Sequence, residues 1–147
     1  MSPRHLIDAN VLLDLATEDP RWAQWSMAAL AHAIDHGGAA INPLIYAEVS
    51  AGFAAIESVE QHLPPALFTR LDLPYEASFL AGKAFVAYRR RGGSRHSPLP
   101  DFFIGAHAAV AGLVLVTRDT ARYRTYFPTL SLVAPDTHFT ADAPGPR

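Results

Sequence analysis

The chain has 147 residues, of which 50% are hydrophobic and 18% are charged, with a formal net charge of −2 and no cysteine. This composition predicts one compact domain and excludes a disordered chain, disulfides, thiolate metal sites and cysteine nucleophiles. The near-neutral charge gives no global attraction to nucleic acid, so such binding would need a local basic patch.

Short apolar runs typical of strands alternate along the chain with longer runs of helical periodicity. We predict strands at 5–8, 39–42, 113–117 and 130–134, and an extended or irregular segment at 67–73. A helix follows the first strand, and further helices are predicted near 21–36, from Asn42-Pro43 through 44–53, and at 56–63. The remaining predicted helices lie at 75–91, from Pro100 to about Gly112, and near 120–127. The predicted domain therefore spans 1–134. Residues 135–147 contain proline and glycine without periodicity, which predicts a loose tail.

Alternation of apolar strands with helices predicts an α/β fold, a three-layer α/β/α sandwich with a short parallel central sheet. Right-handed crossovers bring the carboxyl ends of parallel strands to one edge, where ligands bind in open α/β sheets. No apolar run reaches the ~20 residues of a membrane span, and no basic segment with an apolar signal core opens the sequence. We therefore expect a cytoplasmic protein.

Four acidic residues fall at this predicted edge. Asp8 ends the first strand, Asp101 lies in the first turn of its helix, and Asp119 follows the most apolar strand. Taken singly, these three aspartates are equally typical of helix caps and first turns. Glu48 lies too far into its helix to cap it. Its apolar surroundings therefore require a cation, a proton or a paired arginine.

Gathered at one edge, four carboxylates repel one another, and a divalent cation compensates that repulsion. Oxygen ligands without cysteine favour Mg²⁺ or Mn²⁺. Such a cation activates water and stabilises charge on a phosphate undergoing transfer. We predict that all four acids are metal ligands and that the polar residues Asn10 and Thr117 hold them in place.

Three segments carry these acids: LIDANVLLDL, INPLIYAEVSAGF and LPDFFIGAHAAVAGLVLVTRDTARYRTYFP. In order and spacing they resemble the PIN-domain nucleases, specifically the VapC-type toxins of bacterial toxin–antitoxin pairs, over about residues 6–134. The resemblance is weaker at 58–91. It assigns the family's catalytic and metal-binding residues to Asp8, Glu48, Asp101 and Asp119, and its polar partners to Asn10 and Thr117. It implies a Mg²⁺- or Mn²⁺-dependent endoribonuclease, a cognate antitoxin in the active-site groove and a homodimer.

Basic residues near the acids form a candidate RNA rim, meaning a border of arginines that contact phosphates. The rim consists of Arg89, Arg90, Arg91, Arg95, Arg118 and Arg122. The first three are equally typical of a solvated helix end, where cations favour the dipole. Arg118 alternatively pairs with an acid.

Two polar residues in the three motifs have structural interpretations. His107 lies in an apolar helix and is expected to be a packed histidine, and Asp14 is expected to face solvent.

Two other functions compete with this interpretation of the sequence. A phosphohydrolase with Asp8 as nucleophile is disfavoured, because Asn10 replaces the second aspartate and Lys83, the only lysine, lies far from the motifs. A non-catalytic module that binds RNA or protein on the same fold remains the alternative. The complete acidic quartet favours catalysis, because four like charges are costly to keep together without a metal.

Overall fold

The computed structural model describes residues 3–93 and 99–145. Within them the strands are β1 His5–Ile7, β2 Ala39–Ile41, β3 Phe68–Arg70, β4 Val114–Val116 and β5 Leu132–Val133. The helices are α1 Ala9–Ala16, α2 Ala23–Asp35, α3 Pro43–Ser50, α4 Ile56–His62, α5 Tyr75–Arg90, α6 Leu99–Ala111 and α7 Ala121–Tyr126, followed by a 3₁₀ turn at Thr140–Asp142. The predicted order of strands and helices is confirmed, and the ambiguous segment at 67–73 contributes the short strand β3.

The five strands form one parallel sheet in the order β3-β2-β1-β4-β5. All three residues of β1 and of β2 are buried. Because successive residues of a strand point to opposite faces, helices must cover both faces of these strands. The predicted α/β fold is therefore confirmed. Since β1 lies at the centre, the residue that follows it emerges in the middle of the carboxyl edge.

The helix that carries Glu48 is fixed at its start by Asn42. The Asn42 side chain accepts a hydrogen bond of 2.9 Å from the Ile45 backbone N–H, and Pro43 occupies the first turn. This is the cap that an Asn-Pro pair predicts. Asn42 also lies 2.9 Å from Nδ1 of His107, which is 1% exposed, so the prediction of a packed histidine is confirmed.

The segment after β5 packs against α2 up to the 3₁₀ turn. Trp25 Nε1 donates to the carbonyl of His138 at 2.9 Å, Gln24 donates to Asp142 at 2.9 Å, and Phe139 packs against the core. This contact differs from the loose tail predicted for 135–147. The contact is made by isolated residues of the last segment, and isolated residues produce no periodic pattern in the sequence. Residues 146 and 147 lie outside the described residues.

Among residues 3–93 and 99–145, no helix combines the length and the apolar character needed to cross a membrane.

Helices α6 and α7 meet closely at Gly105. A Cβ at Gly105 would lie 2.7 Å from two ring carbons of Phe127 and 3.1 Å from Cδ1 of Tyr123. We expect Gly105→Ala to lower the free energy of unfolding by about 1–3 kcal/mol, because buried rings must move to admit the methyl group. Urea denaturation measures this change. The control is Gly82→Ala on α5, where a Cβ meets nothing within 4 Å. Equal stability of the two variants would contradict the close packing.

Candidate active site

The four acids reach the carboxyl edge of the sheet from different elements. Asp8 follows β1, Glu48 lies on α3, Asp101 lies in the first turn of α6, and Asp119 follows β4. Asp8 occupies the N-cap position of α1, yet its side chain makes no cap hydrogen bond. The carboxylate of Asp8 is therefore not explained as a helix cap, and its partners lie elsewhere.

Three side chains donate to one oxygen of Asp8, which is 4% exposed. Thr117 Oγ1 and Tyr123 OH each lie 2.9 Å from Oδ2, and Asn10 Nδ2 lies 3.4 Å from it. Asn10 also donates to Thr117 Oγ1 at 3.2 Å. The backbone N–H of Asp119 donates to the same hydroxyl at 3.1 Å. Thr117 thus connects the backbone at Asp119 to the side chain of Asp8.

The acids influence one another's protonation. Burial, with a smaller contribution from the charge of Asp101, raises the pKa of Asp8 to about 6, although hydrogen bonds from Thr117 and Tyr123 oppose the rise. Burial, followed by the charges of Asp8 and Asp101, raises the pKa of Glu48 to about 7. Burial also raises the pKa of Asp101, and the charge of Asp119 adds to that effect. All four acids therefore belong to one electrostatically coupled set.

Glu48 has no compensating partner among the described residues. Its Oε1 atom is buried without a hydrogen bond, and no ion pair with an arginine or a lysine reaches it. The alternative explanation of Glu48, a salt bridge to an arginine, is thus not found within residues 3–93 and 99–145. A bound cation would lower the electrostatic free energy of an uncompensated carboxylate that lies beside other acids.

Two rim arginines are paired with acids. Arg122 Nη1 contacts Asp101 Oδ2 at 2.7 Å, and Arg118 Nε contacts Asp14 Oδ2 at 2.8 Å. Asp14 is only 3% exposed and also accepts a hydrogen bond from Ser26 at 2.8 Å. The expectation that Asp14 faces solvent is therefore wrong. It points inward because Arg118 and Ser26 both donate to its Oδ2 atom.

Three other rim residues lie at the end of α5. Arg89 and Arg91 are exposed, and their guanidinium groups lie 5.9 Å from the Phe85 ring centroid and 5.5 Å from the Tyr126 ring centroid. Arg90 is also exposed, and Arg95 lies outside the described residues. Arg122 lies 6.0 Å from the ring centroid of Tyr88 on α5. The end of α5 therefore borders the element that contacts Asp101.

The chemistry of the donor set suits a hard divalent cation, because the four carboxylates would offer oxygen ligands and Oε1 of Glu48 is buried without a hydrogen-bond partner in the described part of the chain. Their placement is not a finished coordination sphere. Within residues 3–93 and 99–145, no three histidine or acidic side chains lie closely enough to hold a metal ion. Arg122 pairs with Asp101, and Asp119 is exposed. A bound cation would require these two side chains to reorient.

Sequence reasoning missed Tyr123, whose hydroxyl contacts Asp8 and whose side chain is 2% exposed. A tyrosine on the buried face of a short helix is typical of a core residue, so only its position four residues after Asp119 pointed to the site. The Asp14–Arg118 pair was also missed, because residues 104 positions apart show no shared pattern.

Comparison with known proteins identifies the family. The family model for the PIN domain matches residues 5–128, whereas no curated protein matches the sequence significantly. The fold is similar to that of VapBC2 from Rickettsia felis bound to a DNA fragment from their promoter, with a TM-score of 0.69 and 18% identity over 88% of this chain and 97% of that chain. It is also similar to DNA-bound VapBC from Salmonella typhimurium, with a TM-score of 0.66 and 18% identity over 90% of this chain and 98% of that one.

A third similar structure is a toxin–antitoxin complex from Klebsiella pneumoniae. It has 27% identity and a TM-score of 0.60, over 89% of this chain and 97% of that chain. The resemblance predicted from the three motifs is confirmed by these matches. Because the family model spans most of the sequence, the chain belongs to the PIN-domain family.

Proposed function

We propose that this protein is a Mg²⁺- or Mn²⁺-dependent endoribonuclease that hydrolyses RNA phosphodiester bonds as the toxin of a toxin–antitoxin pair. The observation that carries the proposal is the coupled acidic set, in which the buried Oε1 atom of Glu48 has no hydrogen-bond partner among residues 3–93 and 99–145, while the charges of Asp8 and Asp101 act on its carboxyl group. Membership of the PIN-domain family, whose members are generally nucleases, supports the reaction class.

The acids have two parts in this proposal. Asp8, Asp101 and Asp119 would hold the cation, and Glu48 would assist directly or through water. When bound, the cation supplies an activated water and neutralises charge that develops on the phosphate. Thr117 and Asn10 hold the Asp8 carboxylate in one orientation by donating to it. No histidine base is required.

The arginine rim supplies the contact with RNA. Arg89, Arg90 and Arg91 are exposed on α5 and bear charge that a phosphate backbone attracts. Arg122 pairs with Asp101. With Asp101 bound to a cation, Arg122 would be free to contact a phosphate, whereas Arg118 would keep its pair with Asp14.

A cognate antitoxin and a second copy of the chain are the proposed protein partners. The similar structures include complexes named as VapBC and as toxin–antitoxin. The chain also exposes apolar side chains on one face of α5, where Tyr75, Phe79 and Val86 are 91%, 69% and 45% exposed. Such a face is typical of a protein contact surface.

One observation favours the alternative, a non-catalytic module that binds RNA or protein. Arg122 neutralises Asp101, and in the described part of the chain no three acids converge on one point. An acidic cleft closed by an arginine would serve a binding module equally well. Turnover of RNA separates the two functions.

The test is end-mapping of total RNA incubated with the purified, partner-free protein in Mg²⁺, in Mn²⁺ and in EDTA. We expect discrete cuts with either cation and none in EDTA. Cuts of equal yield in EDTA would contradict the metal requirement. A folded, partner-free sample that binds RNA but cuts none would support the binding module.

A further inference from the structure

The hydroxyl of Tyr123 contacts an acid of the candidate site. It donates to Asp8 Oδ2 at 2.9 Å. A phenol has one proton to donate, and this contact uses it. The side chain is 2% exposed, so water does not replace this contact easily.

The packing role of this residue does not require the hydroxyl. The Tyr123 ring lies beside Gly105 and close to Phe127, in a pocket that a phenylalanine ring would also fill. A buried hydroxyl costs free energy unless it is hydrogen-bonded. Here its bonding partner is Asp8, an acid of the candidate site, so the hydroxyl belongs to the site and the ring belongs to the core.

The donors to Asp8 are not distributed evenly over its two oxygens. Tyr123, Thr117 and Asn10 all donate to Oδ2. A carboxylate oxygen accepts about two strong hydrogen bonds through its lone pairs, so these three donors saturate Oδ2. None of the three contacts Oδ1, which keeps capacity for a further ligand.

We propose that Tyr123 is a positioning residue that holds Oδ2 of Asp8, so that Oδ1 is the oxygen presented to a cation. Because α7 begins two residues after Asp119, the same residue connects the helix beyond the fourth acid to the residue that follows β1. This inference rests on the proposed function, since it assigns a further residue to the same site.

The variant Tyr123→Phe removes one oxygen atom and keeps the ring. Binding of Mn²⁺ is measured without RNA, from the electron paramagnetic resonance signal of free Mn²⁺ titrated with protein. We expect binding about 10-fold weaker than in the wild type, the lower end of the range for residues that orient metal ligands. The matched control is Tyr126→Phe on the same helix, whose ring packs 5.1 Å from that of Phe102. It is expected to bind Mn²⁺ as the wild type does.

The outcomes separate this inference from the proposed function. If the wild type and Tyr123→Phe bind Mn²⁺ equally, the positioning role is wrong and the proposed function stands. If the wild type binds no Mn²⁺, the proposed function fails and the inference fails with it. Thermal melts verify that the variants fold. A crystal structure of the wild type with Mn²⁺ tests the inference without a variant, because ligation through Oδ2 in place of Oδ1 would overturn it.

Discussion

Replacement of Asp8 by asparagine is expected to lower the rate of RNA cleavage at least about 100-fold while leaving the fold intact. A bound cation contributes several kcal/mol of charge stabilisation in the transition state, and each 1.36 kcal/mol corresponds to tenfold in rate. Asparagine keeps an oxygen that can accept from Thr117 and Tyr123, which contact Asp8 at 2.9 Å. It removes the charge on which the cation depends.

Single-turnover cleavage of an RNA that the wild type cuts measures this effect, with circular dichroism melts of each variant. The matched control is Asp72→Asn, since Asp72 is exposed and distant in sequence from the four acids. We expect the control to cleave at the wild-type rate. Wild-type cleavage by a folded Asp8→Asn variant would remove Asp8 from the site.

The metal-free protein is expected to lose stability as the pH rises from about 4 to 7. The pKa of Asp8 is raised from 3.8 to about 6, and that of Glu48 from 4.5 to about 7, mainly by burial. The folded state therefore retains protons that the unfolded state has released, and the free energy of unfolding falls as the pH increases through this range. For Asp8 alone the loss is about 3 kcal/mol, at 1.36 kcal/mol per pKa unit.

Urea denaturation at several pH values, in the wild type and in Asp8→Asn, isolates this effect. Burial lowers the pKa of His5 and of His32, which gives the opposite trend near pH 6, but both proteins share those histidines. We expect the stability of the variant relative to the wild type to increase by about 3 kcal/mol between pH 4 and pH 8. A difference independent of pH would contradict the raised pKa of Asp8. At pH 8, Mn²⁺ at 100 times its Kd should stabilise the wild type by about 2.7 kcal/mol and the variant far less.

The position of the four acids at one edge of the sheet was predictable, because it depends on the order and direction of the strands more than on side-chain contacts. A parallel sheet brings the ends of β1 and β4 to one edge, so Asp8 and Asp119 must approach each other once the strands are recognised. Glu48 was identified as a candidate site residue because a charge within an apolar helix face needs a cation, a proton or a paired arginine. Short-range patterns sufficed for each of these residues.

Some partners of the acids were not predictable in the same way. Tyr123 contacts Asp8 across 115 positions of sequence, and helix packing sets that distance. The direction in which Asp14 points depends on Arg118 and Ser26 in other elements. The contact of the last segment with Trp25 likewise depends on tertiary structure. Side-chain pairing between distant segments is the part of the fold that periodicity does not encode.

The pairing of Arg122 with Asp101 sets the charge balance among the four acids. Asp8 and Glu48 have raised pKa values, and the charge of Asp8 contributes to the rise at Glu48. A cation that enters this set must compete with Arg122 and displace protons. Cation binding and proton release should therefore be linked.

The most direct test of the account is calorimetric titration of Mn²⁺ into the metal-free protein at pH 6.5, in two buffers of different ionisation enthalpy. We expect saturable binding of Mn²⁺ with net release of protons. The pKa values of about 6 for Asp8 and about 7 for Glu48 leave both groups partly protonated at that pH. Proton release should decline by pH 8, and Asp8→Asn should bind weakly or not at all. Saturable binding unaffected by Asp8→Asn, or no binding to the folded wild type, would contradict a cation site formed by these acids.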